Sequence, residues 1–257
     1  MVLKAPETGG LVNIKLTIEF DGRNYFGWQR QKNKPTIQQT IEESLQVLLP
    51  GHEIKLTGAG RTDTGVHALN QCANFRIDRD LFQKLDLHKL AYNLNSILPS
   101  DIAIRKAEKV SDNFHARYSA KKRIYRYLIC FRKRAYDGEK YYYFKRKFDF
   151  DLASKFCSSL VGAHSFKTMC KNKSDEHDFM SDVYFAGIKK KKDGSAEFKI
   201  CANRFLHSMV RAIVGMMLSV ASGQVSLTEF KEKFKKGEII RIQYVPANAL
   251  LLDKIIY

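Results

Sequence analysis

The order in which apolar periods change along the chain constrains its fold most. From Val12 to Phe20 apolar residues fall at Val12, Ile14, Leu16, Ile18 and Phe20, the period-two pattern of a half-buried strand. Asp21-Gly22 signals a turn. Thr36 with Gln39 three residues on is a capping-box pattern, and the helix it opens carries Ile37, Ile41, Leu45 and Leu48 on one stripe until Pro50-Gly51 stops it. Ile54 to Thr57 reads as a short strand and Gln71 to Ile77 as another. Leu87, Leu90, Leu94 and Ile97 mark a second helix closed by Pro99, and Ile102 to Val110 is extended. The order is strand, helix, strand, strand, helix, strand, that of a ferredoxin-like split βαβ unit.

A second unit follows. Arg123 to Phe131 alternates and is aromatic-rich. Asp151 is read as the cap of a helix carrying Leu152, Phe156 and Leu160, with Gly162 behind it as the C-cap. Val183 to Ile188 and Glu197 to Ala202 read as strands around a Lys-Lys-Lys-Lys-Asp-Gly hairpin. His207 to Ala221 is a helix, Ser226 with Glu229 opens another by a capping box, and Leu250 to Ile256 is a closing strand. No residue-level repeat is visible, so duplication rests on element order alone. The fold class is α+β: two ferredoxin-like (split βαβ) units whose antiparallel sheets join around a central basic cleft. The units divide into residues 1–111 and 112–257, with a soft boundary near 111–116 that no Pro/Gly/Ser-rich linker marks. Residues 1–10 read as a loose leader.

Charge narrows the class of partner. The chain has 44 Lys+Arg against 27 Asp+Glu, a net charge of +17. Such an excess draws a protein to phosphate backbones and makes binding salt-sensitive, although a solvated lysine-rich surface gives the same total. A hydrophobic fraction of 44% excludes a disordered polyelectrolyte. The five cysteines form no Cys-x-x-Cys pair, which argues against a disulfide framework or a zinc ribbon and for reduced core residues in a cytoplasmic protein. The N-terminus lacks the apolar core of a signal peptide. No apolar run reaches a membrane span, and Met209 to Ala221, short and interrupted by Arg211, reads as a buried helix.

One loop concentrates the chemistry: Gly58-Ala59-Gly60-Arg61-Thr62-Asp63-Thr64-Gly65-Val66-His67-Ala68. Asp63 has no second carboxylate nearby for an acid/base pair and no His or Asp cluster for a metal. Two readings stand: a turn cap, or a nucleophile or base. Arg61 is placed to share a face with Asp63 and lower its pKa, to touch a phosphate, or to sit on the surface. Arg211 lies in an apolar helix, where a buried guanidinium needs a partner. Asp63, held ionised and aimed, is the candidate; the alternative is a long stem reaching solvent. On a strand, Arg123, Tyr125 and Tyr127 share one face, which suits either an unstacked base beside its phosphates or ordinary core packing. Trp28, in Phe26-Gly27-Trp28-Gln29-Arg30-Gln31, reads as an anchored turn ahead of a stacking loop. His164 reads as structural, and Lys189 to Lys192 as a solvated hairpin tip. The glycine spacing matches neither a Rossmann loop nor a P-loop.

Four segments together resemble the TruA-type tRNA pseudouridine synthases. They are Phe20-Asp21-Gly22 through Gly27-Trp28-Gln29; Gly60-Arg61-Thr62-Asp63-Thr64-Gly65-Val66-His67-Ala68; Phe114-His115-Ala116-Arg117-Tyr118 through Tyr125-Arg126-Tyr127; and Asn203-Arg204-Phe205-Leu206-His207-Ser208-Met209-Val210-Arg211. The resemblance implies isomerisation of uridine to pseudouridine in the anticodon stem-loop of tRNA, at nucleotides thirty-eight to forty, with no cofactor and no metal. It implies Asp63 as the catalytic nucleophile, attacking the ribose or assisting glycosidic cleavage. Arg211 would pair with Asp63, and Arg61 would help hold the everted nucleotide out of the helix. Tyr125 would stack on the flipped base and help remove its C5 proton, and Leu250 would make an apolar contact beside it. It also implies a homodimer in which one tRNA spans both subunits. Ala249 stands where the family often has glycine, and Thr64 where alanine or lysine is common.

Overall fold

The computed structural model describes residues 10–171, 178–238 and 240–257; of the leader read at 1–10, only Gly10 falls among them. Strand β1 (Leu11–Phe20) alternates as its sequence requires: Ile14, Leu16 and Ile18 are fully buried while Lys15, Thr17 and Glu19 are not. Burying each of those three contributes about 2 kcal/mol. Helix α1 (Ile37–Leu48) starts where Thr36 accepts a hydrogen bond from the Gln39 amide. The reciprocal half of the capping box is absent, because the Gln39 side chain donates to Glu43 instead. Ile54 and Leu56 are buried but outside any strand, the Leu56 amide and carbonyl being bonded by the Glu42 and Gln38 side chains of α1, so β2 shrinks to Thr57–Gly58, whereas β3 (His67–Asp78) begins four residues earlier than its alternation suggests. A short helix α2 (Arg79–Gln83), too polar to show a stripe, precedes α3 (Leu87–Ile97) and β4 (Ile102–Val110).

The second half runs β5 (Lys122–Cys130), β6 (Tyr142–Tyr143), α4 (Phe150–Ser158), β7 (Gly162–Ser165), β8 (Met180–Lys190), β9 (Ala196–Ala202), α5 (Met209–Ala221), α6 (Leu227–Lys236) and β10 (Leu250–Ile256). Two caps differ from expectation. Asp149, not Asp151, caps α4, its carboxylate accepting from the amides of Asp151 and Leu152; Gly162 opens β7 rather than ending the helix. Ser226 stands at the N-cap of α6 without a side-chain bond, so that capping box is not formed.

The strands make one mixed sheet of ten, ordered β4-β1-β3-β10-β5-β9-β8-β7, with β2 added to β3 and β6 to β5. Within each half the pairs are antiparallel except for the short β6, which runs parallel to β5, and the two halves join through a parallel pair. The last strand, β10, runs antiparallel to β5 but parallel to β3, with Leu251 opposite His67 and Leu252 opposite Ala68. One edge of β3 is thus shared: β2 holds it at Ala73 and Asn74, and β10 holds it at His67 and Ala68. The Asp63 loop leaves the sheet at this fork.

Helices α1 and α3 cover the first half of the sheet; α4 and α5 cover the second. Each half has its own core, and the fork stitches them together. Leu252 and Ile255 of β10 belong to the first core, Leu250 to the second, and Val66 of the Asp63 loop crosses into the second. All five cysteines are buried thiols. Helix α5 buries eleven of its thirteen residues, leaving out only Arg211 and Ser219. It is crossed so closely by the chain that a Cβ on Gly215 would lie 1.8 Å from the Gln243 carbonyl oxygen. No described helix is long and apolar enough to cross a membrane.

Candidate active site

The Asp63 loop is braced from below by the turn after β1. Gly27 has a φ of +87°, and a Cβ there would meet the Thr62 carbonyl oxygen at 2.4 Å. That close approach lets the Trp28 amide donate to Thr62 O at 3.2 Å, while the Gly65 amide reaches Tyr25 O at 3.4 Å. Trp28 itself is buried, an anchor as its sequence context suggests. His67, at the start of β3, ties the loop's other end. Its Nδ1 lies 3.2 Å from the Gly22 amide and 3.0 Å from Asp21, and its Nε2 lies 2.9 Å from Asn248 O, just ahead of β10.

Held in this way, the Asp63 carboxylate meets the N-terminus of α5. Its Oδ2 accepts from Ser208 Oγ at 2.7 Å and from Arg211 Nη1 at 3.0 Å; His207 Nε2 stands 3.5 Å from Oδ1. The guanidinium is anchored at its other side, where Nε donates to Val245 O at 2.8 Å. The segment that crosses α5 at Gly215 therefore also aims Arg211. Arg211 does not run out to solvent; both it and Asp63 keep only 18% of their side-chain surface exposed. The positive end of the helix dipole adds to this favourable field for an anion.

Arg61 is exposed and, among the described residues, makes no ion pair with Asp63. The fixed counter-charge comes from a residue 148 positions away, not from the neighbour two residues back.

Tyr125 lies on β5 between Leu252 of β10 and Ile200 of β9, its ring edge-on to Phe205 with centroids 5.1 Å apart. Burial pushes its phenol up to about 12, with the Arg123 charge pulling the other way and the Asp63 charge adding a little. At neutral pH the group is a phenol. Leu250 is buried opposite Tyr127.

The cationic, aromatic strand face is smaller than its sequence suggests. Tyr127 is fully buried, and its hydroxyl donates to Pro246 O at 2.9 Å. Arg123 is spent on the protein: its guanidinium donates to the carbonyls of Ala59, Arg117, Ala120 and Asn203 at 2.6–3.3 Å. It clamps the root of the Asp63 loop to the segments before β5 and α5. Of the three, Tyr125 alone remains for a base. His164 caps the Val161 carbonyl and packs on Phe166 and Phe234, a structural role. At the hairpin tip Lys191 pairs with Glu197, while Lys189, Lys190 and Lys192 are exposed.

Sequence reasoning missed Ser208 and His207 as neighbours of the carboxylate. The signal was present: Ser208 and Arg211 stand three apart at a helix start, so they share a face. Among the described residues no group of three or more His, Cys, Asp or Glu could hold a metal ion.

A mixed α/β chain with one braced carboxylate at the seam of two half-sheets is thus defined. The family model described as tRNA pseudouridine synthase matches residues 16–119 and 156–257, and the chain belongs to that family. It is similar to the tRNA pseudouridine synthase A of Caldicellulosiruptor bescii, 39% identical over 95% of this chain and 99% of that one. It is likewise similar to the protein of that name from Thermodesulfovibrio yellowstonii, 39% identical over 96% of this chain and 100% of the relative. The one from Thermoanaerobacter sp. is 38% identical over 95% and 99%.

Proposed function

We propose that this chain is a tRNA-uridine isomerase that converts uridine to pseudouridine in the anticodon stem-loop, at nucleotides thirty-eight to forty. The observation that carries the reading is the Asp63 carboxylate, fixed by Arg211 and Ser208 in a chain whose family and relatives are tRNA pseudouridine synthases.

The reaction breaks the N1–C1′ bond, turns the base and forms a C5–C1′ bond. C5 gives up a proton and N1 gains one, so the step needs no redox partner and no added water. Asp63 acts on the ribose or assists the cleavage. Arg211 holds it in place. Arg61, exposed at the loop's edge, holds the everted nucleotide by its phosphate or its vacated stack. Extruding the base costs a few kcal/mol, repaid by stacking on Tyr125 and by contact with Leu250. Because the Tyr125 hydroxyl is a phenol, it removes the C5 proton only by passing its own onward.

The strand orders support two ferredoxin-like units. With the short β6 and the edge strand β7 set aside, the first half reads β4-β1-β3-β2 and the second β10-β5-β9-β8, fourth-first-third-second in chain order in both. We assign them to residues 1–111 and 112–257, with the basic cleft between them. A homodimer spanned by one tRNA, working in the cytoplasm, completes the reading.

The test is release of tritium from C5-labelled uridine in tRNA. Asp63→Asn should abolish it while tRNA binding persists. Undiminished release would sink the reading.

A further inference from the structure

We propose that Ser208 is a positioning residue for Asp63, a role that rests on the reading of Asp63 as the reacting carboxylate. Ser208 is one of only two non-glycine residues among those described with a positive φ, here +56°. It occupies the N-cap of α5, where a serine ordinarily adopts an extended backbone and bonds the helix's own free amides. It does neither. Its hydroxyl makes no capping bond, and Oγ instead donates to Asp63 Oδ2 at 2.7 Å. A left-handed serine is strained, and such strain persists where the surroundings over-determine it. Here the residue is 8% exposed.

The left-handed turn has a geometric result. Ser208 and Arg211 both reach Oδ2, from one helix face. Two donors on one oxygen fix the rotation of the carboxylate about its Cβ–Cγ bond, as one would not. Among the described residues Oδ1 has only His207 Nε2 close by, at 3.5 Å, beyond the usual hydrogen-bond length. Ser208 therefore selects which oxygen Asp63 presents to the nucleotide. It touches the carboxylate, not the substrate, so its removal should slow chemistry and leave binding alone.

Two variants separate hydroxyl from backbone. Ser208→Ala removes the hydroxyl and keeps the strain; Ser208→Gly removes the hydroxyl and relieves the strain. Both should lose about tenfold in kcat, the scale of one hydrogen bond to a charged group, with KM for tRNA unchanged. The glycine variant should melt no lower than the alanine variant, so activity and stability part company. Unchanged kcat in both, a loss confined to KM, or a glycine variant as active as the parent would overturn the proposal. Asp63→Asn is assayed alongside. If it stays active, the reading of Asp63 fails; if it is dead while both Ser208 variants work normally, only the role of Ser208 fails.

Discussion

Asp63 and Arg211 meet across the seam of the two halves, Nη1 lying 3.0 Å from Oδ2. The pair joins the loop between β2 and β3 to the first turn of α5, so one contact both closes the interface and presents the carboxylate. Neither residue has another charged partner of fixed charge within 4.0 Å among those described.

Arg211→Met should therefore cost both stability and activity. Breaking a pair this shielded takes away the counter-charge of Asp63 and leaves Ser208 as the donor on Oδ2, at a cost of about 3 kcal/mol. Urea unfolding would show it as a lower midpoint with an unchanged slope, and tritium release should fall to background.

Gly27→Ala tests the brace beneath the loop. The new Cβ would meet the Thr62 carbonyl oxygen at 2.4 Å, on a backbone with φ of +87°. Strain of that kind costs about 2 kcal/mol or more. A loop displaced by about 1 Å should also lose about a hundredfold in kcat. Since no tRNA contact is removed, KM should move far less than kcat.

High pH should destabilise the protein in a way its tyrosines explain. Burial pushes Tyr125 up to about 12 and holds Tyr25, Tyr127 and Tyr257 above the ordinary phenol value as well. The folded chain thus keeps phenol protons that the unfolded chain releases near pH 10. The contribution is full below about pH 10; that of Tyr125 is lost as pH rises through about 12, and the other three, raised further, go on losing theirs above it. The urea midpoint should fall steadily over that range, and Tyr125→Phe should flatten the decline. A midpoint independent of alkaline pH contradicts the burial of these hydroxyls.

The cysteines should be inert while the chain is folded. All five are buried, and burial pushes the thiols of Cys72 and Cys157 up to about 11 and about 12. The thiolate is the reactive form. A thiol reagent should label none of them in the native protein and all five in denaturant, and reductant should leave the melting temperature unchanged.

Local chemistry was legible in the sequence, and long-range pairing was not. Thr36 and the stripe of Ile37, Ile41 and Leu45 name α1, because a cap and an amphipathic face are properties of neighbours. Met209 to Ala221 reads as a buried helix for the same reason. Where two neighbours compete, the sequence does not choose between them: Asp149 and Asp151 are both capable caps, and only the backbone entering α4 selects the first. The parallel pairing of β10 with β3 has no local signature, since His67 and Leu251 are brought together only by closing both cores. The site divides along the same line. Arg61 is adjacent to Asp63 in sequence yet makes no ion pair with it. Arg211 was found because an arginine in an apolar helix demands a partner. For Ser208 the sequence carried half the signal: its spacing from Arg211 hints at a shared face, but the left-handed backbone that turns its hydroxyl to Asp63 is set by the fold.

The most direct test gives the purified protein an unmodified tRNA transcript with uridines at nucleotides thirty-eight to forty, then maps pseudouridine along it. Pseudouridine should form at those nucleotides with the parent protein and nowhere with Asp63→Asn. A transcript left unmodified by the parent protein, or modified equally by the variant, contradicts the account.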